Sequence, residues 1–341
     1  MTSEQPEYEF AILGAGALGS ILGAHLARAG HSVVMLARGR RAEQIQAEGL
    51  RITGLSELTV RVPTLTDHRQ LQSAGVLIVA MKTPGTAAAL DNLKQPVPGP
   101  PGAARPRFGA ALSIQNGPLK NELLAQAFGP ERVLGALADT SGELRPNGQV
   151  LFTRNVSLFI GEFAGQLSDR ARRIAGAIDA AGVRSSAVTD IESLEWSKFT
   201  AWVGLMALSV TTRAVTWRYL TDPGSVRVLV RLVREVGRLA RALNITLTDQ
   251  AVLPAKTLCD GTEDNAIAAV IEIGREFQAR APEHRMSALQ DLNAGRPLEV
   301  HETLGYALER AAQQGLQMPL VEAFYQVIAA IDRLRIAPSS D

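Results

Sequence analysis

The stretch Gly14-Ala15-Gly16-Ala17-Leu18-Gly19 lies between the apolar run YEFAIL and the helical pattern ALGSILGAHLAR, and it constrains the fold more than any other segment. Glycines at this spacing allow a tight turn, let backbone approach a pyrophosphate closely, and let the following helix pack against the strand. The helix then offers its free N–H groups to an anion. With VVML following, the segment reads as strand, glycine turn, helix and second strand, a βαβ unit with parallel strands. A glycine turn alone also suits simple packing, but its place at the opening of a βαβ unit makes dinucleotide binding the expected role.

The alternation continues through the first half of the chain. LRITG, GVLIVAMK, ALSIQNG and RVLGALAD are short apolar runs separated by helical patterns such as LKNELLAQAF, which predicts an α/β class with a doubly wound, mostly parallel sheet. GQVLFTRN and VSLFIGEF read as two further strands, and DRARRIAGAIDAAG as a helix closed by Gly182. KQPVPGPPGAARPR, from Lys94 to Arg107, cannot hold a regular element and reads as a surface excursion. Beyond about Asp190 the strand signals stop, and the patterns from SLEWSKFTAWVGLMALSVTT to LVEAFYQVIAAIDRLR are those of long helices. The expected division is an N-terminal dinucleotide-binding domain, 1–190, and a C-terminal all-helical domain, 191–341.

A length of 341 residues fits two domains of roughly 150 each. The formal charge of +1, with no basic run interleaved with aromatics, argues against a nucleic-acid partner. Cys259 is the single cysteine, which excludes an internal disulfide and fits a reducing compartment. The five histidines show no paired ligand spacing, so no metal is expected. MTSEQPEYE does not resemble a secretory signal, and AWVGLMALSV is about half the length a bilayer requires. A cytoplasmic protein without membrane association is expected.

Candidate site residues follow from position and chemistry. Where NAD sites carry an acid at the end of the second strand, this chain has Arg38, which suits a 2′-phosphate and favours NADP(H). Arg40 and Arg41 either join it or open the next helix in solvent. Lys82 and Asn116 follow strands, at carboxyl ends where open α/β sheets bind ligands; a solvated lysine and an Asn-Gly-Pro turn are the ordinary alternatives. Ser287 and Gln290 have capping-box spacing, and Glu299 falls in the first helical turn after Pro297. Lys198, in EWSKFTAWVGLMALS, either pairs with Glu195 on a surface or is desolvated by Phe199, Trp202, Val203, Leu205 and Met206. Burial lowers a lysine's pKa and makes it a better proton donor near neutrality.

Taken together, the glycine motif, Lys82, Asn116-Gly117, Lys198 in Trp-Ser-Lys and the later Ser-Ala-Leu-Gln-Asp…Glu resemble the ketopantoate reductase family of NADP-dependent, 6-phosphogluconate-dehydrogenase-like enzymes, over nearly the whole chain. The resemblance implies a Rossmann domain followed by a helical domain, with NADP(H) reducing 2-dehydropantoate (ketopantoate) to pantoate for pantothenate biosynthesis. It places Gly14, Ala15, Gly16, Ala17, Leu18 and Gly19 in the phosphate loop, Arg38 at the 2′-phosphate, and Lys82 and Asn116 at cofactor and substrate. Lys198 matches the family's catalytic lysine, Ser287 the serine that binds the substrate carboxylate, and Glu299 the acid beside nicotinamide and substrate. The implied partner is a small 2-oxo acid; monomer and homodimer both stay open. One departure is plain, because the family's asparagines four and eight residues after the lysine are Trp202 and Met206 here. A more apolar 2-oxo acid or imine therefore stays open as substrate, as does a non-catalytic NADP-sensing role.

Overall fold

The computed structural model describes residues 7–95 and 107–334, so the Pro-rich excursion expected between Lys94 and Arg107 lies almost wholly outside the described residues. The chain divides into two compact units, Met1–Gln115 with Lys120–Ile191, and Asn116–Leu119 with Glu192–Asp341.

The first unit is built on strands β1 (Tyr8–Leu13), β2 (Val33–Leu36), β3 (Leu50–Gly54), β4 (Leu58–Val60), β5 (Thr64–Leu65), β6 (Ser73–Val79), β7 (Arg107–Ser113), β8 (Val133–Leu144), β9 (Gln149–Gly161) and β10 (Ser186–Val188). They form one sheet in the order β4-β3-β9-β8-β7-β6-β1-β2-β5, with β10 beside β9. The run β5-β2-β1-β6-β7-β8 is parallel throughout, and Ile12 of β1 stands between Met35 and Ile78. This is the doubly wound nucleotide-binding order, with the reversal at β1/β6.

The unbroken apolar strand sequences follow from burial on both faces. Phe10, Ile12, Val33 and Met35 enter one core, while Ala11, Leu13, Val34 and Leu36 enter another on the opposite face. Helices α1 (Ala17–Arg28), α2 (Gly39–Glu48), α3 (Thr86–Leu93), α4 (Leu119–Phe128) and α5 (Asp169–Ala180) cover these faces. Ile21 and Ile178 close the first core, and Leu90 and Leu124 the second. One expectation is corrected. GQVLFTRN and VSLFIGEF are not two strands but a single one, β9, antiparallel to β8, and the pairing slips register opposite Asp139/Thr140 and Ser141/Gly142 of β8. Irregularities of this kind bend a strand pair without ending it.

The second unit is helical: α6 (Ile191–Thr212), α7 (Thr216–Thr221), α8 (Pro223–Ala242), α9 (Ala255–Asp260), α10 (Glu263–Arg280), α11 (Ser287–Asn293), α12 (Tyr306–Gln313) and α13 (Pro319–Leu334). From Phe199 through Val210 every residue of α6 is buried, the signature of a helix that is apolar all round. Helix α8 is instead amphipathic. Its arginines recur at helical spacing and grip the α9–α10 turn: Arg231 pairs with Glu263 at 3.1 Å, Arg241 with Asp260 at 3.2 Å, and Arg234 Nε donates to the Leu258 carbonyl at 2.9 Å. Among the described residues no helix is long and apolar enough to cross a membrane.

Helix α13 starts at a buried carboxylate. Glu235 of α8 accepts hydrogen bonds from the backbone N–H of Leu320 at 3.1 Å and of Val321 at 2.9 Å. These are donors a helix start leaves unpaired, and a negative charge there also complements the helix dipole. Glu235→Ala is expected to lower the urea-unfolding free energy by about 2 kcal/mol; unchanged stability would remove the cap from this account.

Candidate active site

The glycine turn of the first unit has no room for side chains at two of its three glycines. Gly14 has φ +106°, and a Cβ there would lie 2.5 Å from the Met81 backbone nitrogen. A Cβ on Gly19 would lie 2.0 Å from the Gly14 carbonyl oxygen. Gly16 differs, because its Cβ would meet nothing closer than the Ala80 carbonyl at 4.0 Å, so the turn is open on that side. Gly16 is the N-cap of α1, and no side chain caps the helix. Ala17 and Leu18 complete the first turn. Bare N–H groups, a close backbone and a helix start form a donor set that fits a pyrophosphate.

Arg38 follows β2 as the extended N-cap of α2 and is exposed. It lines one depression with Thr66, Asp67, His68, Arg69 and Asn92. The Asp67 carboxylate is taken up by Arg69, at 2.9 and 2.8 Å. His68 is only 4% exposed, and its Nδ1 has no hydrogen-bond partner among the described residues. Burial, and then the Arg38 cation, hold the His68 imidazole below its ordinary pKa. The depression thus presents a guanidinium beside a neutral ring. Neither expectation for Arg41 survives: its side chain turns inward to the glycine turn instead of reaching solvent or standing beside Arg38.

At the carboxyl end of β6, Lys82 is exposed and its carbonyl accepts from Thr86 Oγ1 at 3.3 Å. The sequence reading passed over Gln115, which is buried. Its amide donates to the Met81 carbonyl at 2.9 Å and to Thr86 Oγ1 at 2.7 Å, and its Oε1 accepts from Ser113 Oγ at 2.9 Å. One buried network within the first unit therefore fixes the backbone that carries Lys82. A glutamine preceding Asn-Gly was the visible signal, but its partners lie about thirty residues away in sequence.

In the second unit, Gly117 has φ +77°, and a Cβ there would lie 3.5 Å from the Phe199 ring and 3.8 Å from the Glu302 carbonyl. The Asn116-Gly117 turn is thus seated against α6 at the residue following Lys198. Phe199 stacks edge-on with Trp196 and Tyr306, with centroids 5.6 and 6.0 Å apart. Lys198 is partly buried, and Glu195 is buried, so this stretch is not a solvated surface. Glu299 is buried just before the helical backbone begins at Val300. Thr303 Oγ1 bonds the Glu299 carbonyl and lies 3.5 Å from Met206 Sδ, which docks the Glu299 segment on α6.

Ser287 does not form the expected capping box. It is the first residue of α11, with Met286 as N-cap and no side-chain cap, and Gln290 Nε2 donates instead to the Arg285 carbonyl at 2.9 Å. Ala288 beside it joins the apolar cluster of Phe199 and Met206. Trp202 is 7% exposed and Met206 fully buried, both in that cluster. Asn116, Lys198, Ser287 and Glu299 thus all stand on segments packed around one aromatic core. A residue the sequence reading missed is Glu302, on a π-helical turn, His301–Gly305; such turns recur at functional sites. Its Oε2 is buried without a hydrogen-bond partner among the described residues. Burial, with a contribution from the nearby Glu299, raises its pKa.

A doubly wound nucleotide-binding unit joined to an all-helical unit defines a class of dinucleotide-dependent proteins, and comparison with known proteins narrows it. The model of the family described as ketopantoate reductase PanE/ApbA matches residues 10–165, and that of its C-terminal part matches residues 190–332. The chain belongs to this family of oxidoreductases. It is 26% identical over 321 residues to the 2-dehydropantoate 2-reductase of Archaeoglobus fulgidus, covering 94% of this chain and 97% of that one. The crystal structure of a PanE/ApbA family ketopantoate reductase from Ralstonia eutropha JMP134 is similar with a TM-score of 0.78 and 25% identity, over 95% of this chain and 98% of that one. A D-mandelate dehydrogenase, solved with NADH and anilino(oxo)acetate, shares the fold at TM-score 0.78 and 16% identity, over 95% and 98% of the two chains.

The raised pKa of Glu302 has a consequence for stability. A carboxyl whose folded pKa lies above its unfolded value contributes stability that is complete below the unfolded pKa and is lost as pH rises through the folded one. Glu302→Gln is therefore expected to gain stability relative to the natural chain as pH rises from about 4 to neutrality, read from thermal unfolding across that range. A pH-independent difference would contradict the assignment.

Proposed function

We propose that this chain is an NADPH-dependent 2-oxo acid reductase, with 2-dehydropantoate as its substrate, pantoate as its product and pantothenate biosynthesis in the cytoplasm as its setting. The observation that carries the reading is the packing of the Asn116-Gly117 turn and the Glu299 segment onto the helix that bears Lys198. The open face of the glycine turn and the exposed Arg38 support a dinucleotide with a 2′-phosphate.

In this reading Gly14, Ala15, Gly16, Ala17, Leu18 and Gly19 hold the pyrophosphate, Arg38 the 2′-phosphate, and Lys82 and Asn116 the rest of the cofactor and the substrate. The nicotinamide, when bound, supplies hydride to the substrate's carbonyl carbon. As the C=O electron pair moves to oxygen, the Lys198 ammonium stabilises the developing alkoxide and transfers a proton to it. Ser287 holds the substrate carboxylate, and Glu299 orients the cofactor ribose or a substrate hydroxyl and keeps Lys198 charged. Lys198→Ala is expected to cut kcat by about two to four orders of magnitude, with NADPH binding retained; a near-normal rate would remove the lysine from the mechanism.

A second reading rests on Trp202 and Met206, which place an aromatic ring and a thioether where the resemblance implies asparagines. Apolar positions leave substrate hydroxyls without partners, and a site lacking those partners favours a more apolar 2-oxo acid. NADPH oxidation measured with ketopantoate and with a series of apolar 2-oxo acids separates the two. Ketopantoate turnover with kcat/KM of about 10⁴ M⁻¹s⁻¹ or more, and higher than that of the apolar acids, supports the first reading. The reverse order supports the second, and no turnover of any carbonyl despite NADPH binding would overturn both.

A further inference from the structure

Arg41 lies on α2, outside the glycine motif, yet it spends its guanidinium on that motif. Its Nε donates to the Ala15 carbonyl at 2.9 Å, its Nη2 to Ser20 Oγ at 2.9 Å, and its Nη1 to the Gly148 carbonyl at 2.8 Å. Ser20, wholly buried on α1, donates its hydroxyl proton to the same Ala15 carbonyl at 3.1 Å. The Ala15 oxygen therefore receives two donors, one for each lone pair. Gly148, in the β8–β9 turn, has φ +80°, and a Cβ there would come within 2.9 Å of the Gln44 carboxamide and 3.2 Å of Arg41 Nη1, so the far end of the brace is closely fitted.

The orientation of one peptide follows. In a planar trans peptide the C=O and the next residue's N–H point in opposite directions. With the Ala15 carbonyl held by Arg41 and Ser20, the Gly16 N–H of the same peptide is turned the opposite way, away from both donors. We infer that Arg41 is a positioning residue for the cofactor's pyrophosphate, which it serves by locking the Ala15–Gly16 peptide and tying the phosphate loop to the β8–β9 turn, and not by contacting the cofactor. The inference rests on the dinucleotide reading above. The guanidinium also adds a fixed positive charge behind the loop, which favours an anion in front of it.

This separates Arg41 from Arg38 by experiment. The dissociation constants of NADPH and NADH are measured by titration for the natural chain, Arg41→Met, Arg41→Lys and Ser20→Ala, with kcat taken at saturating NADPH. Arg41→Met is expected to weaken NADPH and NADH by the same factor, about tenfold or more, with kcat within about twofold of the natural value. Arg41→Lys and Ser20→Ala are expected to shift both cofactors in the same proportion by a smaller factor, and they carry the test should Arg41→Met fail to fold. Loss of NADPH affinity with NADH unaffected would make Arg41 a 2′-phosphate ligand and overturn the inference, as would unchanged affinity for both. If the natural chain binds neither dinucleotide, the cofactor reading itself falls, an outcome visible before any variant is made.

Discussion

In the first unit two glycines of one turn approach each other more closely than side chains would allow. Gly19 of α1 sits so near the Gly14 carbonyl that a single methyl group would overlap it, so α1 can lie against the end of β1 only where the residue at 19 has no side chain. That approach aligns α1 with the sheet, buries Ile21 and Leu22 on one core, and leaves the helix start bare at the carboxyl edge. The parallel strands supply the rest of the edge. Because β1, β2 and β6 end in register, the residues that follow them, Gly14, Arg38 and Lys82, emerge along one side of the sheet. The layout of that edge is thus a consequence of how closely a helix can approach a strand.

The second unit is organised by a different constraint. Helix α6 has no polar stripe and must be covered on all sides. The Asn116-Gly117 turn, the Glu299 segment and α11 contribute to that cover, so burying an apolar helix also draws these three segments onto the helix that carries Lys198. Gly117 is needed there for its positive φ. The aromatic cluster of Trp196, Phe199 and Tyr306 is both core and the floor on which these residues stand.

Much of this was legible in the chain. Glycine spacing, alternating apolar runs and the change to helical periodicity near Asp190 are local signals, and local signals set the fold class. What stayed hidden depends on partners remote in sequence. Gln115 bonds across to Met81 and Thr86, Arg41 to Gly148, and Glu235 to the start of α13; no spacing rule announces such pairs. Ser287 and Gln290 show the converse, since a correct capping-box spacing formed no box once Gln290 found the Arg285 carbonyl. Trp202 and Met206 were visible as departures, but only the packing shows them as core and not as polar lining.

The reaction we propose for this chain is the passage of hydride from a nicotinamide to the carbonyl carbon of a 2-oxo acid. The most direct measurement uses NADPH deuterated at the transferable C4 position, incubated with the chain and ketopantoate or an apolar 2-oxo acid, with the products analysed by mass spectrometry. The account predicts a 2-hydroxy acid carrying one deuterium at C2, formed in step with cofactor oxidation. Cofactor oxidation that yields unlabelled product, or no 2-hydroxy acid from any 2-oxo acid offered, would contradict it.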